Sequence, residues 1–165
     1  FNVTEPGAYA AVENDVTFGD IINHWAKDEI EVIASQQITK GINANTFSPN
    51  SNITHAEFAT LLDRIFGTGI DWEVRSKEAG AREQLTREEM VLMIADALEL
   101  EQGPASVDFK DGDQISDEAK SAVAFAVENG LVKGMTGNQF APKATSTRAQ
   151  VSVILYRLLE HLGKI

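Results

Sequence analysis

The chain repeats itself. Residues 38–66, ITKGINANTFSPNSNITHAEFATLLDRIF, align without a gap onto 131–159, LVKGMTGNQFAPKATSTRAQVSVILYRLL, at a constant offset of 93. Nine positions are identical: Lys40/Lys133, Gly41/Gly134, Asn45/Asn138, Phe47/Phe140, Pro49/Pro142, Thr54/Thr147, Ala56/Ala149, Leu62/Leu155 and Arg64/Arg157. Average residue usage gives roughly two identities in such a window. The segments are therefore copies of one unit, and copies fold as an array in which each unit buries its apolar face against its neighbours. A partial third copy lies between them: LTREEMVLMIADAL, at 85–98, matches only the back end of the unit. Only 18 residues separate Phe66 from Leu85, whereas Phe18 precedes Ile53 by 35 and Phe109 precedes Ser146 by 37. The front of the middle unit is thus missing or degenerate, with DWEVRSKEAGA (71–81) as the remnant of a first helix ending at Gly80.

Each full unit reads as helix–loop–helix. Trp25, Ile30, Ile33 and Ala34 form an apolar stripe at helical spacing across 25–37, and 117–129 is its counterpart, with Val123, Phe125, Ala126 and Val127. Both first helices are expected to stop near Lys40-Gly41 and Lys133-Gly134. Phe47 and Phe140 are then expected in the core, with Pro49 and Pro142 ending local regularity. Thr54-His-Ala-Glu57, Thr86-Arg-Glu-Glu89 and Thr147-Arg-Ala-Gln150 are three capping boxes, each opening a second helix. Parallel stripes follow: Phe58, Leu61, Leu62, Ile65; Met90, Met93, Ile94, Ala97; Val151, Ile154, Leu155, Leu158. The expected fold class is all-α, a pseudo-threefold array of helix–loop–helix repeats around a central three-helix bundle. Helices near 54–66, 86–99 and 147–161 should meet in one apolar centre with the first helices outside. The expected division is 1–17 as the end of an upstream module or linker (GAYAAVEN as a strand), 18–66 as repeat 1, 67–100 as repeat 2 and 107–161 as repeat 3, all repeats forming one compact domain.

A net charge of −11 and a pI near 4.6 argue against nucleic acid as a partner. The lack of cysteine excludes disulfide scaffolds, zinc–thiolate sites and thiol nucleophiles. No run approaches the roughly 18 apolar residues of a membrane span, so no membrane insertion is expected. His24, His55 and His161 show no metal-ligand spacing, and Asp108-Phe-Lys-Asp-Gly-Asp-Gln-Ile departs from a calcium loop by an early glycine and by Lys110 at a ligand position. No metal or cofactor is expected, and with no nucleophile–base pair, no catalysis.

Against this acidic background, Arg87 and Arg148 stand one residue after a capping threonine, at the positive end of a helix dipole, where a cation is mildly unfavourable. Free helix N–H groups plus a guanidinium fork make a site for a carboxylate. The competing reading pairs each arginine with an acidic neighbour across a unit boundary. Lys40 and Lys133 suit a ligand role equally with a structural one at a helix C-terminus. Gly41 and Gly134 are expected to supply positive φ, though a missing side chain also permits close approach of a ligand. Trp25 either stacks on the flat face of a ligand or belongs to the core.

The motifs FGDIINHWAKDEIEVIASQQITKG, FSPNSNITHAEF, LTREEM and FAPKATSTRAQ resemble the S-layer homology (SLH) family of cell-surface anchoring modules, over about residues 18–160 and only in the back half of unit 2. The resemblance implies a three-pronged fold with central helices that binds a secondary cell-wall polysaccharide of a Gram-positive-type envelope. The usual ligand is a pyruvylated N-acetylmannosamine-type sugar held in grooves between units, whose carboxylate suits the arginines. It implies a non-catalytic, extracellular module at the cell wall, attached to a larger polypeptide upstream. The alternative is a protein–protein assembly module within a surface layer. Three departures stand out: His55 replaces the usual arginine, Glu118 stands in unit 3 where unit 1 has Trp25, and unit 2 lacks a groove loop. A groove around His55, neutral at pH 7, is expected to hold a carboxylate weakly.

Overall fold

A computed structural model describes residues 16–70, 72–101 and 105–165; the proposed upstream strand lies outside them. Six α-helices follow in order: α1 (Lys27–Ser35), α2 (His55–Phe66), α3 (Trp72–Arg75), α4 (Arg87–Ala97), α5 (Lys120–Glu128) and α6 (Arg148–His161). Single 3-10 turns occupy Gly19–Ile21 and Gly112–Gln114. The described residues contain only isolated β-bridges beside these, so the chain is all-α. Thr54, Thr86 and Thr147 each accept the amide three residues on, while Glu57, Glu89 and Gln150 reach back to the cap amide. All three capping boxes are formed.

These caps start three helices at one point. The Ile53 amide donates to the Ser146 carbonyl at 3.1 Å, Ser146 to Leu85 at 2.8 Å, and Leu85 back to Ile53 at 2.9 Å. That closed ring of three backbone hydrogen bonds marks the pseudo-threefold axis. From it α2, α4 and α6 diverge around a single apolar core holding Leu62, Ile94 and Leu155. The outer helices cross unit boundaries: α1 packs on α6, α5 on α4 and the short α3 on α2. A second cluster seals the α1–α6 seam with Phe18, Ile21, Ile30, Phe47 and Val153. At the axis, Ser146 is fully buried with no hydrogen-bond partner for Oγ among the described residues, whereas its counterparts Ile53 and Leu85 are apolar. Removing an unsatisfied buried hydroxyl relieves a desolvation cost. Ser146→Ala is therefore expected to raise the urea-unfolding free energy by about 1 kcal/mol.

Two helix boundaries differ from expectation. α1 ends at Ser35 and α5 at Glu128, short of the Lys-Gly pairs, and the left-handed residues that turn the chain are Gln37 (φ 61°) and Gly130 (φ 69°). Lys40 and Lys133 therefore do not cap helices. Trp25 is not on the helical stripe either: it precedes α1 in a turn and is 65% exposed, so the core reading fails. Phe47 and Phe140 are core residues as expected.

In the contracted middle unit, α3 stands where a full first helix would pack. It is pinned by Arg75, whose Nε and Nη2 donate to the buried Asp63 carboxylate of α2 at 2.7 and 2.8 Å. The Thr68 hydroxyl donates to the same carboxylate at 2.7 Å.

Candidate ligand-binding grooves

The helix N-termini are not open anion sites. In α6 the Arg148 amide donates to Ser51 O, Ala149 to Pro49 O and Gln150 to Thr147 Oγ1. In α4 the Arg87 amide donates to Ala144 O, Glu88 to Pro142 O and Glu89 to Thr86 Oγ1. These bonds stitch each second helix to the loop of the neighbouring unit, and they use the N–H groups that an anion would need.

The arginines are drawn into the same seams. Arg148 Nε donates to Phe47 O at 2.9 Å and Nη2 to Lys40 O at 2.7 Å, with the guanidinium 4.5 Å from the Phe47 ring centroid. Arg87 Nε donates to Phe140 O at 2.8 Å and Nη2 to Lys133 O at 3.2 Å, with its guanidinium 5.1 Å from the Phe140 ring. Burial lowers both arginine pKa values, but guanidinium stays charged. Each crosses a unit boundary, as the structural reading required, yet its hydrogen-bond partners are carbonyls rather than an acid. Arg87, only 6% exposed, cannot act as a free fork.

The opposite side of each phenylalanine is held by an aspartate that the sequence showed without revealing its use. Asp20 accepts the Phe47 and Ser48 amides at 2.8 and 2.7 Å, and Asp111 those of Phe140 and Ala141 at 2.8 Å each. Burial pushes each carboxyl up. The amide hydrogen bonds and the arginine across the loop outweigh it and hold both below the ordinary aspartate value. An Asp–loop–Arg clamp is thus built twice.

Gly41 and Gly134 are not among the positive-φ residues, which corrects their expected role. A Cβ on Gly41 would lie 2.5 Å from Phe18 Cε1 and 2.4 Å from Asn43 O; one on Gly134 would lie 2.7 Å from Phe109 Cε1. The glycines let the F-x-D phenylalanine pass beneath the loop. Beside Gly134, a cleft of about 670 Å³ is lined by Phe109, Val127, Met135, Lys133 and the acids Asp108 and Glu128.

The boundary between units 1 and 2 is different. The Ala56 amide donates to Ala81 O, the counterpart of Pro49 and Pro142, which puts Ala79 where the other loops have Phe47 and Phe140. An arginine there would have no ring to cover. His55 occupies its place, with Nε2 3.2 Å from Glu89 Oε2 but outside hydrogen-bonding geometry. Burial pushes Glu89 up, but the Thr86 hydroxyl and amide, with His55 beside them, hold it below its ordinary value.

Of the nine residues shared by the two full copies, most have structural work. Arg64 and Arg157 donate to Ile38 O and Leu131 O, and the Asn45 and Asn138 carbonyls accept Gly19 N and Lys110 N. The side chains of Lys40 and Lys133 make no hydrogen bond or ion pair among the described residues, and both are exposed.

A family model for the S-layer homology domain matches residues 17–59 and 108–152, more than half of the chain. The chain belongs to the S-layer homology domain family. The two matched segments fall in the two full copies, and the stretch between them contains the contracted unit. The amylopullulanase of Thermoanaerobacterium thermosulfurigenes is 36% identical over 197 aligned residues that take in all of this chain and 11% of that protein. The alignment is longer than the 165-residue chain, so that relative carries residues that this SLH domain lacks. The exoglucanase XynX of Acetivibrio thermocellus is 32% identical over 90% of the chain and 17% of its own length. The surface-layer 125 kDa protein of Lysinibacillus sphaericus is 28% identical over 95% of the chain and 16% of its length. The chain thus spans less than a fifth of each of these relatives, and in the enzymes the SLH region is a small part of a larger protein. It is a cell-surface anchoring module of the bacterial cell wall. No helix among the described residues is long and apolar enough to cross a membrane.

Proposed function

We propose that the cleft beside Lys133-Gly134 and the equivalent surface beside Lys40-Gly41 bind an anionic secondary cell-wall polysaccharide, of the pyruvylated N-acetylmannosamine type. A larger polypeptide is thereby held on the wall, and the module itself does no catalysis. The observation that carries this reading is the pair of lysines, repeated at 40 and 133 with no internal partner for either side chain among the described residues. A cation kept exposed in a chain of net charge −11 suits an anion from outside. Trp25, exposed in the turn before α1, offers a flat apolar face of the kind that stacks on sugar rings. Arg148 and Arg87 contribute by fixing the lysine carbonyls rather than by gripping the carboxylate with an open fork.

The test is the double variant Lys40→Ala/Lys133→Ala, titrated calorimetrically with purified wall polymer. Affinity should fall at least about tenfold, the equivalent of one lost charged contact of roughly 1.5–3 kcal/mol, while the melting temperature stays put. Unchanged affinity would remove the lysines from the site. A second reading, assembly with neighbouring surface-layer subunits, has the exposed apolar side chains Ile22, Trp25 and Ile42 in its favour. Polymer binding by the isolated monomer separates the two.

A further inference from the structure

We infer that this domain carries two ligand sites rather than three, and that Asp20 and Asp111 are the positioning residues that give each site its shape. The inference rests on the anchoring reading above and adds to it the number of sites and what creates them.

Besides its backbone bonds to α6 and to Gly19, the loop bearing Lys40 is held at four backbone atoms by side chains from outside itself. Asp20 takes the Phe47 and Ser48 amides, and Arg148 takes the Phe47 and Lys40 carbonyls. Its counterpart bearing Lys133 is fixed in the same way by Asp111 and Arg87. The aspartates act where the backbone most needs help. Ser48 and Ala141, each the second residue held, have φ of 62° and 55°, a left-handed conformation that a residue with a Cβ adopts only at a cost. Two consecutive amides converging on one carboxylate keep the loop in that conformation. Without the carboxylate, the loop is free to relax toward ordinary φ, and the lysine–glycine wall moves with it.

The third boundary lacks the parts. Ala79 stands in the phenylalanine position, His55 in the arginine position, and no Lys-Gly pair occurs between Phe66 and Leu85. The changes belong together: the arginine exists to cover a ring and hold its carbonyl, and where the ring is absent the arginine is absent too. His55 is turned instead against Glu89 of the neighbouring capping box. This seam joins two units without the phenylalanine, arginine and lysine–glycine parts that build the other two walls.

The experiment is a calorimetric titration of the chain with a single repeating unit cleaved from pyruvylated wall polymer. Two equivalents are expected for the wild-type chain, one for Asp20→Asn and one for Asp111→Asn, with affinity at the altered groove at least tenfold weaker. Each variant retains the opposite groove as its own control for folding. Amide exchange supplies a readout that needs no ligand: in Asp20→Asn, Phe47 and Ser48 should exchange at least tenfold faster while Phe140 and Ala141 keep their rates. Three equivalents in the wild type overturn the site count. Two equivalents surviving both substitutions overturn the positioning role, as does loss of both in either single variant, because a local clamp cannot empty the far groove. No uptake at all by the wild type overturns the anchoring reading itself, whatever the exchange rates show.

Discussion

Phe140→Ala is expected to lower the free energy of unfolding by about 3–5 kcal/mol, the usual cost of deleting a buried aromatic ring. Phe140 is fully buried in the main core, its ring 5.6 Å from that of Phe109 and beneath the Arg87 guanidinium. The substitution removes apolar area, an aromatic contact and the cover over a buried cation. Its backbone hydrogen bonds to Asp111 and Arg87 survive, since they use the amide and carbonyl alone. The loss should therefore appear in equilibrium denaturation as a lower midpoint with an unchanged slope. A change below about 1 kcal/mol would mean that the loop collapses at little cost.

Arg75→Ala is expected to cost about 3 kcal/mol, the lower end for breaking a buried ion pair. It strands Asp63, which is buried, whereas Arg75 itself is 24% exposed and the Thr68 hydroxyl bond to Asp63 remains. Burial pushes the Asp63 carboxyl up, but Arg75 and Thr68 outweigh it and hold it below its ordinary value. A carboxyl with a lowered folded-state pKa adds stability that is complete above its unfolded value, near about 3.9. That stability is lost as pH falls through the lowered value. In the variant the chief lowering influence is gone, so desolvation acts more freely. Wild type minus variant, measured by thermal unfolding, should be largest near neutrality and shrink on acidification below about pH 4. A difference that grows in acid would contradict the assignment.

What could be read from the sequence follows from what each signal encodes. The capping boxes and the i, i+3, i+4, i+7 stripes gave the three central helices, because cap and face are local properties, and the equivalence of the three stripes in the repeat pointed to their shared core. Which outer helix covers which inner one was not readable: a stripe names the buried face but not the partner, and α1 packs on α6 from the other end of the chain. The repeat located the Lys-Gly pairs but misled on the glycines. Both pack against a phenylalanine more than twenty residues upstream, Phe18 or Phe109, whereas positive φ near these loops falls on Gln37, Ser48 and Ala141, which are not glycine. Arg148 lies 101 residues from Phe47 and Arg87 53 from Phe140, so their carbonyl partners had no local trace. Asp20 and Asp111 were visible as F-x-D at the head of each full unit. The signal that assigns them is their recurrence ahead of the same F-x-P loop in both full units.

The most direct measurement is titration of the chain with purified wall polymer before and after chemical removal of its pyruvate. If the exposed lysines receive a ligand carboxylate, native polymer binds with an affinity that weakens as salt is raised, and polymer stripped of pyruvate binds at least about tenfold more weakly, the loss of one charged contact. Equal affinity for both polymers, independent of salt, would contradict the account.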